Sequence, residues 1–326
     1  VGANGAVRFT AGPNAGYNSI TLSTITLNSY TGTGGAAMVL ESSSNTVSQC
    51  YVYASTGTGI GLFGAYNTVT QSTVAVVVNI YTDAAVYFGT SYNTVSYSFI
   101  TNSMGYAVQL TGPFNLIDRS SITSTAADLT YDAVFFVGAA SNTISDSYIY
   151  KLSKTAVRID ADSAGNSILR STITLESSVG GVALRIASSS NTVSQASIYS
   201  PGATGVQIQA AYNTLTQSAV TVSIQSSGDA AVYLDGSRAT ISQSFITNQL
   251  GYALLLPDGA NSSFNLIDLS TITSASSVYP ALYMGGAATN TISSSYIQGF
   301  EAVYIAGSTG TVIGGSVLIA TNTSGS

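Results

Sequence analysis

The chain has 326 residues, of which 45% are hydrophobic but only 7% are charged, against roughly 25% charged residues in an average soluble domain. Eight basic residues, fourteen acidic ones and no histidine argue against nucleic-acid binding, which depends largely on neutralising phosphates. The single cysteine excludes an internal disulfide framework and a cysteine-based zinc site. No apolar run reaches the length of about 18 residues that a membrane-spanning helix needs.

In chain order, the first feature is a repeated element, typified by Asn45-Thr46-Val47-Ser48, that returns every 22 to 27 residues. Alanine takes the place of asparagine once, at Ala239. Fixed periods of this length are typical of solenoid proteins, in which each repeat is one structural unit. The asparagines that mark the repeat are Asn18, Asn45, Asn67, Asn93, Asn115, Asn142, Asn166, Asn191, Asn213, Asn265 and Asn290.

The side chains that follow each asparagine keep a constant register. An aliphatic residue stands two and seven positions later, as Val95 and Ile100 do after Asn93, and a small residue, usually serine, stands five positions later. A further segment alternates small, aliphatic, variable and aliphatic residues, as in Ala107-Val108-Gln109-Leu110. This pattern predicts three short strands per coil with inward side chains at period two. Stacked coils then form an all-β parallel β-helix of about 12–13 coils around a narrow core.

The asparagine column has a structural interpretation in such a stack. Asparagine tolerates the left-handed backbone conformation at a corner, and stacked amides can hydrogen-bond along the axis as a ladder. The serine column can do the same more weakly. We therefore expect these residues to stabilise the fold and not to bind a ligand.

A longer period suggests an internal duplication. Asn18 and Asn166 are 148 residues apart, and Asn45 and Asn191 are 146 apart. Two six-coil blocks, at about 17–164 and 165–310, are therefore expected within a single β-helix domain covering residues 1–326. Duplication of a block lengthens a solenoid, as the growth of a stalk or fibre requires.

The register of asparagine, aliphatic, serine and isoleucine resembles the right-handed parallel β-helix repeat family of the pectate-lyase-like superfamily. That family includes polysaccharide lyases and hydrolases, periplasmic maturation proteins and surface adhesins. The resemblance implies the fold and leaves the function open, because this scaffold hosts many activities. A surface or adhesin-type member fits the sequence better than an enzyme.

The enzymatic alternative depends on clustered carboxylates, because glycoside hydrolysis needs two of them close together. Asp160 and Asp162 share a segment with Arg158, which makes them the best, though weak, candidates for a metal or an acid–base pair. The matching segment of the second block is almost uncharged. A solvated patch of mixed charge is therefore the favoured interpretation, and we expect no catalytic residue, no bound metal and no cofactor.

Aromatic residues recur at the outward position of the third strand of a coil, and exposed rings can stack on sugars or pack against a partner protein. The alternative is that strands simply favour aromatic residues. The candidate glycan or partner face consists of Tyr87, Phe135, Tyr233, Tyr283 and Tyr304.

The two terminal coils are predicted to associate. Val7 and Phe9 belong to a third strand at the head, whereas Val312 and Val317 belong to first and second strands at the tail, with glycine in place of asparagine and serine. Uncovered coils would expose apolar columns and unpaired strand edges. Head and tail are therefore expected to join between subunits of a filament, or to further repeats of a longer chain.

Three functions remain open at this point. The first is a non-catalytic structural protein of an extracellular or cell-surface fibre, joined head to tail. The second is a carbohydrate-binding adhesin or stalk, and the third is a polysaccharide lyase or hydrolase. The scarcity of lysine and the abundance of serine, threonine and tyrosine favour an extracellular location.

Overall fold

The computed structural model describes residues 5–12, 15–28, 35–78, 84–126, 131–176, 180–224, 229–259 and 261–321. Contacts between residues divide the chain into two compact units, Val1–Ser167 and Ile168–Ser326, and each unit is considered by itself. The expectation of a single domain with a duplicated block stays a prediction.

Each coil of the first unit contributes three strands, as the register of the repeat predicted. The first strand follows the asparagine, the second follows after a sharp turn, and the third precedes the next asparagine. The strands of this unit are β1 (Gly5–Phe9), β2 (Ser19–Thr21), β3 (Thr24–Leu27), β4 (Ala36–Leu40), β5 (Thr46–Ser48), β6 (Tyr51–Thr56), β7 (Thr58–Leu62), β8 (Thr68–Thr70), β9 (Thr73–Val78), β10 (Ala84–Phe88), β11 (Thr94–Ser96), β12 (Phe99–Asn102), β13 (Tyr106–Leu110), β14 (Leu116–Asp118), β15 (Ser121–Ser124), β16 (Val134–Phe136), β17 (Thr143–Ser145), β18 (Tyr148–Lys151) and β19 (Thr155–Ile159).

The second unit repeats this plan, and β20 (Ser167–Leu169) spans the boundary between the two. Its strands are β21 (Thr172–Leu175), β22 (Val182–Ile186), β23 (Thr192–Ser194), β24 (Ser197–Ser200), β25 (Thr204–Ile208), β26 (Thr214–Thr216), β27 (Ala219–Val222), β28 (Ala230–Leu234), β29 (Thr240–Ser242), β30 (Phe245–Asn248), β31 (Tyr252–Leu256), β32 (Leu266–Asp268), β33 (Thr271–Ser274), β34 (Leu282–Gly285), β35 (Thr291–Ser293), β36 (Tyr296–Gly299), β37 (Val303–Ala306), β38 (Val312–Gly314) and β39 (Val317–Ala320).

Strands of the same kind pair with their copies on neighbouring coils, always in parallel. In the first unit the sheet of first strands has the order β2-β5-β8-β11-β14-β17, and the sheet of second strands β3-β6-β9-β12-β15-β18. Third strands form a sheet in the order β1-β4-β7-β10-β13-β16-β19. The second unit has the same three sheets, and in each of them every strand pairs with the strand three places later in chain order. Each unit is therefore a right-handed parallel β-helix, which confirms the predicted fold.

The core of each unit consists of the predicted aliphatic columns. Val47, Val69 and Val95 pair in register on successive coils and are fully buried. Larger side chains such as Phe88 and Phe136 fill the same core from the third strands. Period-two alternation turns every second side chain inward. Each coil therefore buries its apolar residues against its own other strands and against the coils above and below.

The asparagines do not adopt the left-handed conformation, contrary to the expectation from their turn propensity. Positive φ angles occur instead at the residue before each asparagine and at the residue four positions after it, for example 61° at Tyr66 and 49° at Gln71 around Asn67. The chain therefore turns sharply on both sides of the short first strand. The role of the asparagine is to supply hydrogen bonds at this corner.

A continuous ladder of hydrogen bonds connects the asparagines of the first unit from Asn18 to Asn166. The Oδ1 atom of each asparagine accepts the backbone N–H of the asparagine one coil earlier, at 2.7–3.0 Å. The Nδ2 group donates to a nearby carbonyl of the preceding turn, as from Asn67 to Gly64 at 2.8 Å and from Asn142 to Ala140 at 3.2 Å. The serine column forms a similar ladder, since Ser98 Oγ accepts the Ser72 N–H of the preceding coil at 3.2 Å. Buried polar groups are thereby paired, as a buried corner requires.

The last described coil of the second unit shows that the predicted register was wrong by one residue. Thr291 pairs with Val312, so that Thr311, and not Gly310, aligns with Asn290. Ser316 takes the serine position, because its Oγ accepts the Ser295 N–H at 3.1 Å. Consequently Val312 and Val317 point outward, while Ile313 and Leu318 continue the inward columns of Ile292 and Ile297.

Candidate functional site

The five aromatic residues predicted on the third strands do not form one face. Tyr87 is half-buried, with its ring 5.4 Å from that of Phe63, and it accepts a hydrogen bond from Thr111 at 3.1 Å. Tyr233 is also half-buried. Tyr283 and Tyr304 pair on adjacent strands of the second unit, with stacked rings 5.5 Å apart. Only these last two residues are brought together.

Phe135 is buried and not exposed, which corrects the prediction for this residue. The residue is only 6% exposed, because the guanidinium of Arg158 on the next coil lies 3.8 Å from the ring centre. A cation above an aromatic face is a favourable contact that also covers the ring. Phe135 is therefore unavailable to a glycan.

Arg158 joins two carboxylates in the first unit. Its Nε atom lies 3.4 Å from Oδ2 of Asp132, whose side chain is fully buried, and an Nη atom lies 3.5 Å from Oδ2 of the more exposed Asp160. Asp160 is thus an ion-pair partner of Arg158. Asp162 is exposed in the following turn with a φ of 66°. The guanidinium lies within ion-pair distance of both Asp132 and Asp160, an arrangement suited to holding the coil together.

Tyr106 closes this cluster on the inner side. Its ring stacks on Phe135 at 5.3 Å and meets Tyr131 edge-on at 5.1 Å. Burial, and then the negative charge of Asp132, raise the pKa of the Tyr106 hydroxyl. The hydroxyl therefore stays protonated at neutral pH and does not act as a base.

A tyrosine cleft of about 330 Å³ opens on the third-strand sheet of the second unit. Tyr252, Tyr279, Tyr283 and Tyr304 line it together with Pro280 and Glu301. The ring of Tyr252 lies 4.8 Å from that of Tyr279 and 5.5 Å from that of Tyr283, tilted by 57° and 58°. Burial raises the pKa of Tyr252 and of Tyr283, so both rings are neutral. The cleft can bind a small ligand between rings of different orientation.

Tyr252, Tyr279 and Glu301 were missed because they precede the segments of small, aliphatic, variable and aliphatic residues from which the third strands were predicted. Tyr252 begins β31, and Tyr279 lies in the segment that leads into β34. Loop residues have no counterpart at a fixed distance from the asparagine. Only the local run Val278-Tyr279-Pro280, close to Tyr283, indicates an aromatic cluster in the sequence.

The second-strand sheet of the first unit carries a regular outward face that sequence reasoning also missed. Tyr51, Phe99 and Tyr148 occupy its first position on every second coil and are 43–45% exposed. Thr73 and Ser121 take the same position on the coils between them. All three rings stand six residues after an asparagine, so the register contained the signal. The rings repeat at two coils, or about 9.6 Å, which we call the ribbed face.

A third aromatic group runs along the turn before the asparagine ladder. Tyr66, Tyr92 and Phe114 stack at 5.0 and 5.2 Å with interplanar angles of 3° and 8°. Because Tyr92 is stacked between the other two rings, both of its faces are covered and the stack offers mainly ring edges along its length. These rings stabilise the left-handed turn positions, which cost energy for residues other than glycine.

Several other features of the described residues concern possible sites. No group of three or more His, Cys, Asp or Glu residues lies close enough to hold one metal ion among the residues the structure describes. Cys50 is buried in the serine column, with Sγ 3.2 Å from the Ser48 carbonyl. No helix in the described ranges is long and apolar enough to cross a membrane.

Comparison with known proteins agrees with this geometry. Residues 84–229 match the family model of the right handed beta helix region, and no curated protein sequence matches the chain. Pectate lyase Pel9A has a TM-score of 0.52 at 10% identity, over 89% of this chain and 78% of the lyase. A tailspike protein of E. coli bacteriophage HK620, in complex with a pentasaccharide, has a TM-score of 0.51 at 12% identity, and the match covers 90% of this chain and 70% of the tailspike. Residues 84–229 therefore form a right-handed β-helix region, and the chain has the fold found in pectate-lyase-like proteins.

Proposed function

We propose that this chain is a non-catalytic structural protein of an extracellular surface fibre, in which it is a repeat unit or subunit joined head to tail. The observation that carries the proposal is the chemistry of the two outermost described coils. Both continue buried apolar columns and present strand edges, which are surfaces that a further β-helix coil would complete.

At the outer edge of the second unit, Ile305, Ile313 and Leu318 continue columns whose preceding members are fully buried. Leu318 is nevertheless 45% exposed. At the edge of the first unit, Val7 and Phe9 are half-buried, although Met38 and Leu40, their partners in register, are fully buried. Because these side chains are already partly covered, completing their burial would stabilise the joint by a fraction of the roughly 1.5–3 kcal/mol that full burial of a large apolar side chain contributes.

If the terminal coils join head to tail, the protein forms filaments, and a charged residue introduced into the joint should disrupt them. Purified protein at near-physiological salt should appear as end-to-end rods by negative-stain electron microscopy. Leu318→Glu should leave single particles, because the joint would bury an unpaired carboxylate at a cost of several kcal/mol. Val317→Glu is the matched control, since Val317 points outward on the same strand, and its rods should persist.

Rods that survive Leu318→Glu, or wild-type protein that is monodisperse and monomeric, would contradict the head-to-tail joint. The non-catalytic part of the proposal has its own test. Release of unsaturated or reducing sugars from acidic polysaccharides, with or without Ca²⁺, would instead support a polysaccharide lyase or hydrolase.

A carbohydrate-binding adhesin is the second candidate function, and the ribbed face favours it. Every outward position of the described second strands in the first unit is uncharged. Tyr51, Phe99 and Tyr148 present half-exposed rings at equal intervals, with hydroxyl groups between them. Aromatic faces stack on sugar rings, so this face suits an extended neutral polysaccharide lying along the coil axis.

The ribbed face predicts binding of neutral glycans that depends on the central ring. Phe99→Ser should weaken retention on immobilised cellulose or chitin by about 3- to 10-fold, because one of three stacking platforms is lost. Tyr17→Ser is the control, because Tyr17 is 90% exposed outside this face. Equal losses in the two variants, or binding of acidic glycans only, would argue against the adhesin.

A further inference from the structure

We propose that the tyrosine cleft of the second unit is an aromatic cage for an organic cation, with a quaternary ammonium group as the ligand. This inference goes beyond a structural role and does not depend on the fibre. It rests on the orientation of the rings, on the charge of the lining residues and on the strand register that brings them together.

The rings are arranged around a volume and not along a plane. Tyr252 is tilted by nearly 60° against both Tyr279 and Tyr283, at centroid distances of 4.8 and 5.5 Å. Tyr304 continues the wall by stacking on Tyr283. A flat sugar ring needs one open aromatic face, whereas a rounded trimethylammonium group can contact several differently oriented rings at once. The arrangement therefore favours the rounded ligand.

The charge of the cleft is complementary to a cation. Glu301 lines it and stands one coil after Pro280, and no lysine or arginine is among the lining residues. Asp258 lies near enough to act electrostatically on Tyr283. Aromatic faces carry negative potential and attract cations within about 6 Å of the ring centre. The rings and the carboxylates of Glu301 and Asp258 thus both attract a positively charged ligand.

The strand register explains why these groups converge. Tyr283 and Tyr304 occupy one outward column of the third-strand sheet, on β34 and β37. Pro280 and Glu301 precede these strands by the same number of residues, and Tyr252 stands at the matching position on β31. Val278 and Tyr279 enter from the segment before β34 and close the side of the cleft. The cage is therefore built by three successive coils of one unit.

The test compares choline with 3,3-dimethylbutan-1-ol, a neutral analogue of the same shape in which carbon replaces nitrogen. Binding to the whole chain is measured by calorimetry and by broadening of the ligand methyl signals in NMR. We expect choline to bind about 5- to 30-fold more tightly than the neutral analogue, because the cation–aromatic attraction requires the charge.

Variants separate the cage from a general effect on folding. Tyr283→Leu and Glu301→Gln should each weaken choline binding several-fold in protein that keeps the circular dichroism spectrum of the wild type, whereas Tyr283→Phe, which keeps the ring face, should retain binding. Tyr66→Leu, at a tyrosine of the first unit, is the control and should bind like the wild type. Equal binding of both probes would indicate a merely apolar cleft and would overturn the proposal. Binding of neutral oligosaccharides without choline, or of neither probe, would overturn it as well.

Discussion

Replacing Asn115 by alanine is expected to lower the free energy of unfolding of the first unit by about 2–4 kcal/mol. The Oδ1 atom of Asn115 accepts the Asn93 backbone N–H at 2.8 Å, and its Nδ2 group donates to the Gly112 carbonyl at 2.9 Å. Both bonds are buried, so the change leaves a donor and an acceptor without these partners. Urea unfolding followed by circular dichroism measures the effect.

The chain itself offers the matched control for the ladder. Ala239 stands in the asparagine column of the second unit, is 1% exposed, and donates its backbone N–H to Asn265 Oδ1 at 2.8 Å. The backbone at this position therefore already has the geometry of the ladder. Ala239→Asn should raise the free energy of unfolding by about 1 kcal/mol, because the added Oδ1 can accept the Asn213 N–H. If neither substitution shifts the unfolding midpoint, the ladder is not a source of stability.

Substitution of Arg158 by methionine is expected to destabilise the first unit by about 3 kcal/mol, since breaking a buried ion pair leaves its partner charge poorly compensated. The guanidinium faces the fully buried carboxylate of Asp132 and covers the ring of Phe135. Methionine replaces part of the apolar contact but not the charge. Thermal unfolding at neutral pH measures the loss.

A neighbouring carboxylate provides the comparison for this effect. Asp160 lies 3.5 Å from the same guanidinium, but its side chain is 43% exposed, so Asp160→Asn should cost less than about 1 kcal/mol. Similar losses in the two variants would mean that burial of Asp132 is not what makes Arg158 important. A larger loss in Asp160→Asn would contradict the assignment of the ion pairs.

Much of the fold could be predicted because the residues that contact one another on neighbouring coils of a β-helix recur at a nearly constant spacing in the sequence. The aliphatic residues two and seven positions after Asn93, Val95 and Ile100, are fully buried in the structure. Alternation places them inward wherever the coil runs regularly. Where the spacing deviates, the prediction was wrong by one residue, as at Val312 and Val317. A pattern with glycine near the asparagine position does not reveal the register that the neighbouring strands impose.

The candidate sites could be predicted only in part. Tyr283 and Tyr304 were found from their outward position, but Tyr279 and Glu301, which complete the cleft, precede the alternating segments from which the third strands were predicted. Phe135 has the same outward position and is nevertheless buried, because Arg158 of the next coil covers it. Exposure at an outward position depends on the neighbour one coil away, and that neighbour is separated by more than twenty residues in sequence.

By itself the sequence determined the strand periodicity, the stacking of coils and the residues that face the core. These follow from alternation and from a nearly constant repeat length, which are local properties of the chain. Tertiary structure alone decided which rings meet in the tyrosine cleft and which aromatic residues are covered. Those outcomes depend on side chains that meet across coils, and their distances are set by loops of variable length that carry no period.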